Sequence, residues 1–160
     1  MLFQSANRLV IVKPTSFGYD EISAVTNVFQ NNHSSNKLFK LVEKEHFELT
    51  KLFDKNNIAF QILNSPKECL DGIFPNNWVS FHSDGRVCMY PMYAKNRRVE
   101  RRSDILASLK TDHGFTVKEI VDYSTLENHD VYLEGTGSMV LDRANKICYA
   151  AISERTHKAA

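Results

Sequence analysis

The chain is 160 residues long, 42% hydrophobic and 11% aromatic, with 20 basic and 19 acidic side chains for a formal net charge of +1. Those figures suit one globular domain with a real core and argue against a polyanion-binding surface, so neither nucleic acid nor membrane is an expected partner. No apolar stretch approaches the length that spans a bilayer, and residues 1–6 lack the charged start and apolar core of a signal peptide, which makes the cytoplasm the expected location.

In chain order, residues 8–13 (Arg8-Leu9-Val10-Ile11-Val12-Lys13) predict a buried strand ended by Pro14. Residues 20–30 suit a short helix or irregular segment, and residues 31–36 a polar loop. Residues 37–57 carry the strongest helical pattern: Leu38, Leu41, Val42, Leu49, Leu52 and Phe53 recur every three or four positions and predict one stripe packed on a sheet. Asn56-Asn57 ends that helix, and residues 58–63 predict the next strand. Ser65, Pro66 and Glu68 have the order of a capped helical turn, with Cys69 in a structural place behind them. A hairpin follows, its strands leading from Trp78 and from Val87 around a turn at residues 83–86. Then come a helix over residues 101–111, closed by His113-Gly114, and a strand over residues 116–121. The order is ββαβ, and no linker rich in Gly, Pro or Ser interrupts it.

Leu133-Glu134-Gly135-Thr136-Gly137-Ser138-Met139-Val140 sets one carboxylate and two glycines just ahead of an apolar run. Glycine allows positive φ or a close backbone approach to a ligand, so the pattern places Glu134 at the mouth of a sheet, with Met139-Val140-Leu141 as a buried strand. A turn at residues 142–145 and a strand over residues 147–152 follow. The layout repeats the earlier Phe74-Pro75-Asn76-Asn77-Trp78-Val79-Ser80-Phe81 segment. Trp78 and Ser138 are 60 positions apart, as are Cys88 and Cys148, which predicts an internal repeat of about 60 residues. Two such repeats bring Asn77 and Glu134 to comparable strand starts, converging on one cleft. The second repeat reaches Ala160 where its helix has barely begun, so the expectation is a truncated product or a partner that supplies further units.

Cys69, Cys88 and Cys148 are odd in number and have neither CxxC nor Cys/His ligand spacing, which argues against a disulfide framework and against a zinc site. Cys88 and Cys148 sit among apolar residues and are expected to be small core side chains. The run Arg97-Arg98-Val99-Glu100-Arg101-Arg102 contains an acid and is expected to be a solvated helix start.

The blocks FPNNWVSFH, YPMYAKNRRVERR and LEGTGSMVLDR followed by SERTH resemble, in this order, the arginine-deiminase-related, citrulline-utilisation hydrolases of the amidinotransferase (guanidino-group-modifying) superfamily. The resemblance runs from about Arg8 to the last residue. It implies an α/β fold, the pentein, in which five ββαβ units circle a central active site; residues 1–160 supply about half of it, as the N-terminal part of one domain cut short at its C-terminus. It also implies a small amino-acid substrate, and neither cofactor nor metal.

The chemistry that goes with the resemblance needs a thiolate, because a guanidino or ureido carbon is a poor electrophile, together with a proton-shuttling His and a carboxylate that grips the substrate. Glu134 matches that carboxylate. Asn77 stands where deiminases carry an Asp for the guanidinium; a neutral amide tilts the expected substrate from arginine toward citrulline. Arg97 or Arg98 matches the arginine for the substrate's α-carboxylate. Gly137 replaces a second carboxylate, and Phe74, Asn76 and Thr136 complete the implied substrate contacts. The implied Cys and His belong to the C-terminal half. His82 and His157 are expected to be surface or hydrogen-bonded, and the chain by itself is expected to be inactive. Two other expectations compete: a non-catalytic amino-acid-binding module, and a fragment that dimerises through open sheet edges.

Overall fold

The computed structural model describes residues 4–25, 36–102 and 116–160. They form two compact units, Met1–Pro75 and Asn76–Ala160.

In the first unit, β1 (Arg8–Lys13) pairs in parallel with β2 (Ala59–Asn64), Ile11 opposite Ile62. A parallel pair needs a crossover, and α2 (Asn36–Lys55) supplies it. The short α1 (Glu21–Ala24) is capped by Asp20, whose carboxylate accepts from the Ile22 and Ser23 amides. Asn57, at φ 54, ends the α2 segment in the left-handed region that Asn tolerates. The expected stripe on α2 is corrected by the structure. Its covered face runs through Leu38, Val42, His46, Thr50 and Phe53, and Phe53 meets Phe60 of β2 at 5.4 Å between ring centroids. Leu41, Leu49 and Leu52 are exposed. Apolar residues occupy more than one side of this helix, and the covered side follows the four-residue spacing that passes through a His and a Thr.

The capped helical turn expected at Ser65 is also corrected. The Ser65 hydroxyl accepts from the Thr15 amide at 3.0 Å, and Thr15 Oγ1 donates to the Ser65 carbonyl at 2.9 Å. Ser65 therefore clasps the end of β2 to the residues after β1, and only a turn follows, closed by the Cys69 amide on the Pro66 carbonyl. Cys69 is buried.

The second unit begins within a 3₁₀ turn, Pro75–Asn77, and its described residues include two hairpins. β3 (Val79–Phe81) and β4 (Arg86–Met89) are antiparallel, and β5 (Glu119–Asp122) joins β4 in parallel. The helix expected over residues 101–111 lies almost wholly outside the described residues. β6 (Met139–Asp142) and β7 (Ile147–Ala150) form the other hairpin. Trp78, Val79, Val87, Tyr90, Met92, Tyr132 and Met139 make up the core.

The 60-residue offset is visible in the hairpins, with one difference. Ser80 faces Cys88 across the first, whereas the second pairs Leu141 with Cys148, a slip of one residue. The first turn uses Gly85 at φ 89; the second has Lys146 at φ 58. Two burial expectations are corrected here. Of Met139-Val140-Leu141 only Met139 is buried, Val140 being 67% exposed, and Cys148 is exposed, because β7 has a partner strand on one side and solvent over its residues.

The arginine run is not a solvated helix start. Lys95–Glu100 forms a 3₁₀ segment in which Arg97, 1% exposed, makes a two-pronged ion pair with Glu100 at 2.7 and 2.9 Å. Arg101 pairs through both terminal nitrogens with Glu127, which also takes the Met92 amide at 2.7 Å and Arg98 Nε at 3.2 Å. One carboxylate thus organises three chain segments. Glu127→Gln, which keeps an acceptor for Met92 but removes the charge, is expected to cost about 2 kcal/mol in urea unfolding; an unchanged midpoint would show that these pairs contribute nothing net.

Candidate active site

Two short turns build the site, each leading into the first strand of a hairpin. Trp78, 2% exposed, anchors the turn at Pro75–Asn77 and leaves the Asn77 side chain buried at its end. Before β6 the chain makes a single helical turn, Gly135–Ser138, with Glu134 just ahead of it. Gly135 has φ 42, and a Cβ there would lie 2.2 Å from the Asn76 carbonyl oxygen. Only glycine lets these two backbones touch. The loop that follows β7 closes from the other side: the Glu134 amide donates to the Arg155 carbonyl at 3.2 Å, and Leu133 bridges Thr156.

Glu134 is 1% exposed and accepts from donors on three segments. Its Oε1 accepts the Tyr93 amide at 3.1 Å; its Oε2 accepts Asn77 Nδ2 and Arg155 Nη1, each at 3.1 Å. Arg155 supplies the countercharge that a buried carboxylate requires. Because Asn77 turns its NH₂ to a carboxylate, its carbonyl oxygen is the free end, and a Cβ on Gly137 would come within 2.9 Å of that oxygen. Positions 77 and 137, one repeat apart, meet here. The glycine leaves open the space beside the amide acceptor.

Asn76, Asn77, Glu134, Thr136 and Gly137 therefore gather in one place, with Thr136 Oγ1 at 3.5 Å from the Asn76 carbonyl. The arginines expected to contact substrate are not in Glu134's shell. Arg97 is committed to Glu100. Arg98 donates from Nε to the Met92 carbonyl at 3.0 Å, stands 5.9 Å from the Tyr132 ring centroid, and has a buried Nη2 with no partner among the described residues. Phe74 belongs to the first unit and is 45% exposed. Arg155 is the residue that sequence reasoning missed: it sits in a loop with no apolar period, and the residue one repeat earlier is Lys95. The only signal was its place in the SERTH block.

Neither a cysteine nor a histidine is among Glu134's partners. Burial pushes the Cys88 thiol up from its ordinary value, against thiolate character, and raises Tyr90 to about 12. His82 is half-buried between Ser80 and Arg143, and burial first, then the Arg143 charge, lower its basicity. His157 is exposed and accepts the Ala159 amide on its own ring. Among the described residues no group of His, Cys, Asp and Glu is arranged to hold a metal ion, and no helix is long and apolar enough to cross a membrane.

The architecture is shared with solved structures. ArgZ, an arginine dihydrolase from the ornithine–ammonia cycle in cyanobacteria, superposes in its apo form with a TM-score of 0.66 at 19% identity, over 95% of this chain and 21% of that one. The N-terminal domain of ArgZ, bound to substrate, gives a TM-score of 0.64 at 18% identity, over 94% of this chain and 51% of that one. Dimethylarginine dimethylaminohydrolase, as an adduct with S-methyl-L-thiocitrulline, gives 0.60 at 11% identity, over 93% and 52%. The chain thus spans about a fifth of ArgZ and about half of the ArgZ N-terminal domain and of dimethylarginine dimethylaminohydrolase, a partial pentein fold. None of the curated proteins is similar enough in sequence to match. The model of the family "N,N dimethylarginine dimethylhydrolase, eukaryotic" matches residues 13–160, nearly the whole chain. By that match the chain belongs to the eukaryotic N,N-dimethylarginine dimethylhydrolase family, and it has part of the pentein fold of these neighbours.

Proposed function

We propose that this chain forms the substrate-holding part of a hydrolase acting on the ureido or guanidino group of a citrulline- or arginine-like amino acid. The observation that carries the proposal is Glu134: buried, charge-balanced by Arg155, and met by Asn77 from the neighbouring repeat. A carboxylate has about four lone-pair positions, and the Tyr93, Asn77 and Arg155 donors take three. One position on Oε1 and the free carbonyl of Asn77 remain as acceptors for the N–H groups of a ligand. Names of the structural neighbours, arginine dihydrolase and dimethylarginine dimethylaminohydrolase, support a guanidino or ureido compound.

The neutral ureido group is the better fit of the two. Arg155 already balances Glu134, so a guanidinium brings a second cation to one buried carboxylate, whereas a urea brings N–H donors without charge. Catalysis on that carbon calls for a thiolate to add to it, a tetrahedral adduct to expel ammonia or an amine, and water to release the acyl group from sulfur, with an imidazole moving the protons. Glu134's part is to hold the nitrogens and stabilise positive charge growing on them. Cys88, with its thiol pushed up, does not supply the nucleophile.

Calorimetric titration of the chain with citrulline, arginine and dimethylarginine tests the proposal. Citrulline is expected to bind, with Glu134→Gln weakening it by roughly tenfold, about 1.4 kcal/mol. Ammonia release from the chain alone is expected to be absent and indifferent to Cys88→Ala. Absence of heat with all three ligands, or turnover abolished by Cys88→Ala, would overturn the proposal.

A further inference from the structure

We propose that Arg143 and His82 are positioning residues, forming a chain of hydrogen bonds that holds the turn of the second hairpin against the first and thereby sets where Glu134 meets Asn77. Its importance for catalysis rests on the function proposed above, but its existence does not.

The chain starts at a group that can only donate. Arg143, in the turn after β6, places Nη1 3.0 Å from His82 Nδ1. A guanidinium has no acceptor, so Nδ1 must be bare and the ring proton must sit on Nε2. His82, at the end of β3, then donates from Nε2 to Ser80 Oγ at 2.9 Å, and Ser80 Oγ shares a 2.7 Å hydrogen bond with Tyr90 Oη that either hydroxyl can donate. Tyr90 is 4% exposed, and its ring lies where a Cβ on Gly135 would be 3.0 Å away. Gly135 is joined to Glu134. Four side chains therefore connect the outer turn of one hairpin to the backbone beside the buried carboxylate, with the proton directions from Arg143 through His82 to Ser80 set by the arginine.

The same polarity removes His82 and Ser80 from consideration as a base and nucleophile. The imidazole nitrogen facing Ser80 carries the proton and has no lone pair to accept one.

A second proton on His82 is incompatible with the chain, because Nδ1–H would point at Arg143. The charges around the ring agree. Arg143 from the β6 side and Arg86 from β4 oppose protonation, while Asp84 in the first turn favours it but is itself held by Arg86 at 2.7 Å. Beyond them, Lys118 packs its stem on Gly85, Glu119 of β5 faces Arg86, and Cys88 and Tyr90 of the β4 side adjoin Ser80. Asp142, next to Arg143, is engaged by Asn145. Folding lowers the basicity of His82, so the contact is complete above about pH 6.5 and is lost as pH falls through the lower folded value.

The test uses the whole chain labelled with ¹⁵N and needs no ligand. Long-range ¹H–¹⁵N spectra at pH 7 are expected to show His82 with Nε2 protonated and Nδ1 bare. The Tyr93 amide, which donates to Glu134, reports the placement of that carboxylate through its exchange protection factor. Arg143→Met is expected to lower that protection roughly five- to tenfold, and Arg143→Lys to restore most of it. His82→Gln can still accept from Arg143 and donate to Ser80 but does not titrate, so protection should become independent of pH between about 5 and 7, whereas the parent chain loses it below about 6.5. A proton on Nδ1, or unchanged Tyr93 protection in folded Arg143→Met, would overturn the proposal. If Arg143→Met does not fold, a pH-dependent loss that persists in His82→Gln has the same force. Intact protection with no ligand binding would sink the proposed function alone.

Discussion

Gly135→Ala is expected to lower the unfolding free energy by about 3 kcal/mol, a fall in Tm of roughly 10 °C for a chain of this size. Two effects act on the same atom. At φ 42 an L-residue carries left-handed strain of about 1–2 kcal/mol. The new methyl would also lie 2.2 Å from the Asn76 carbonyl oxygen and 3.0 Å from the Tyr90 ring, and the first of these is backbone that cannot swing aside. Gly137→Ala is the control. The atoms nearest its Cβ all belong to the Asn77 side chain, from 2.9 Å, so it should cost less stability and act instead on ligand affinity, by occupying the space beside the amide oxygen. Thermal and urea unfolding of both variants decide the matter. A Gly135→Ala protein within about 1 kcal/mol of the parent would mean that the two turns do not touch as described.

Glu134→Ala is expected to cost about 4 kcal/mol, because it strands charge and donors together. Asn77 Nδ2 and the Tyr93 amide lose a charged acceptor, and Arg155 loses its counterion. The Arg155 side chain is 16% exposed, so water recovers part of its solvation and keeps the loss below that of a fully enclosed pair. A double-mutant cycle separates the terms. Adding Arg155→Met to Glu134→Ala should return about 1–2 kcal/mol, since an apolar side chain no longer demands a partner. Strict additivity in urea unfolding would show that the two side chains do not interact across the site.

Much of this site was legible before any coordinates. The offset of 60 residues, read from Trp78 and Ser138, brings positions 77 and 137 into register, and the fold places Asn77 over Gly137 and against Glu134. Local chemistry served well where it was self-sufficient: Pro14 ends β1, Asn57 ends the long helix, and Gly85 makes the first turn. It failed where a distant partner decides. A run of arginines reads as solvated, yet Arg101 is claimed by Glu127, 26 positions on, and Arg97 by an acid inside the run itself. Arg155 reaches Glu134 from a loop that carries no periodic signal. On α2 the apolar residues outnumber one face, so composition alone does not say whether Leu41 or Thr50 turns inward.

The slip between the two hairpins separates positions that the 60-residue offset pairs. Cys88 lies across from Ser80, while Cys148 lies across from Leu141 and donates toward the Met139 sulfur at 3.5 Å. Neighbouring positions along a strand point to opposite sides, so a single step of displacement turns one copy inside out relative to its twin. Matching letters thus have different surroundings: Cys88 has a hydroxyl across from it, Cys148 a leucine across from it and the Met139 sulfur beside it.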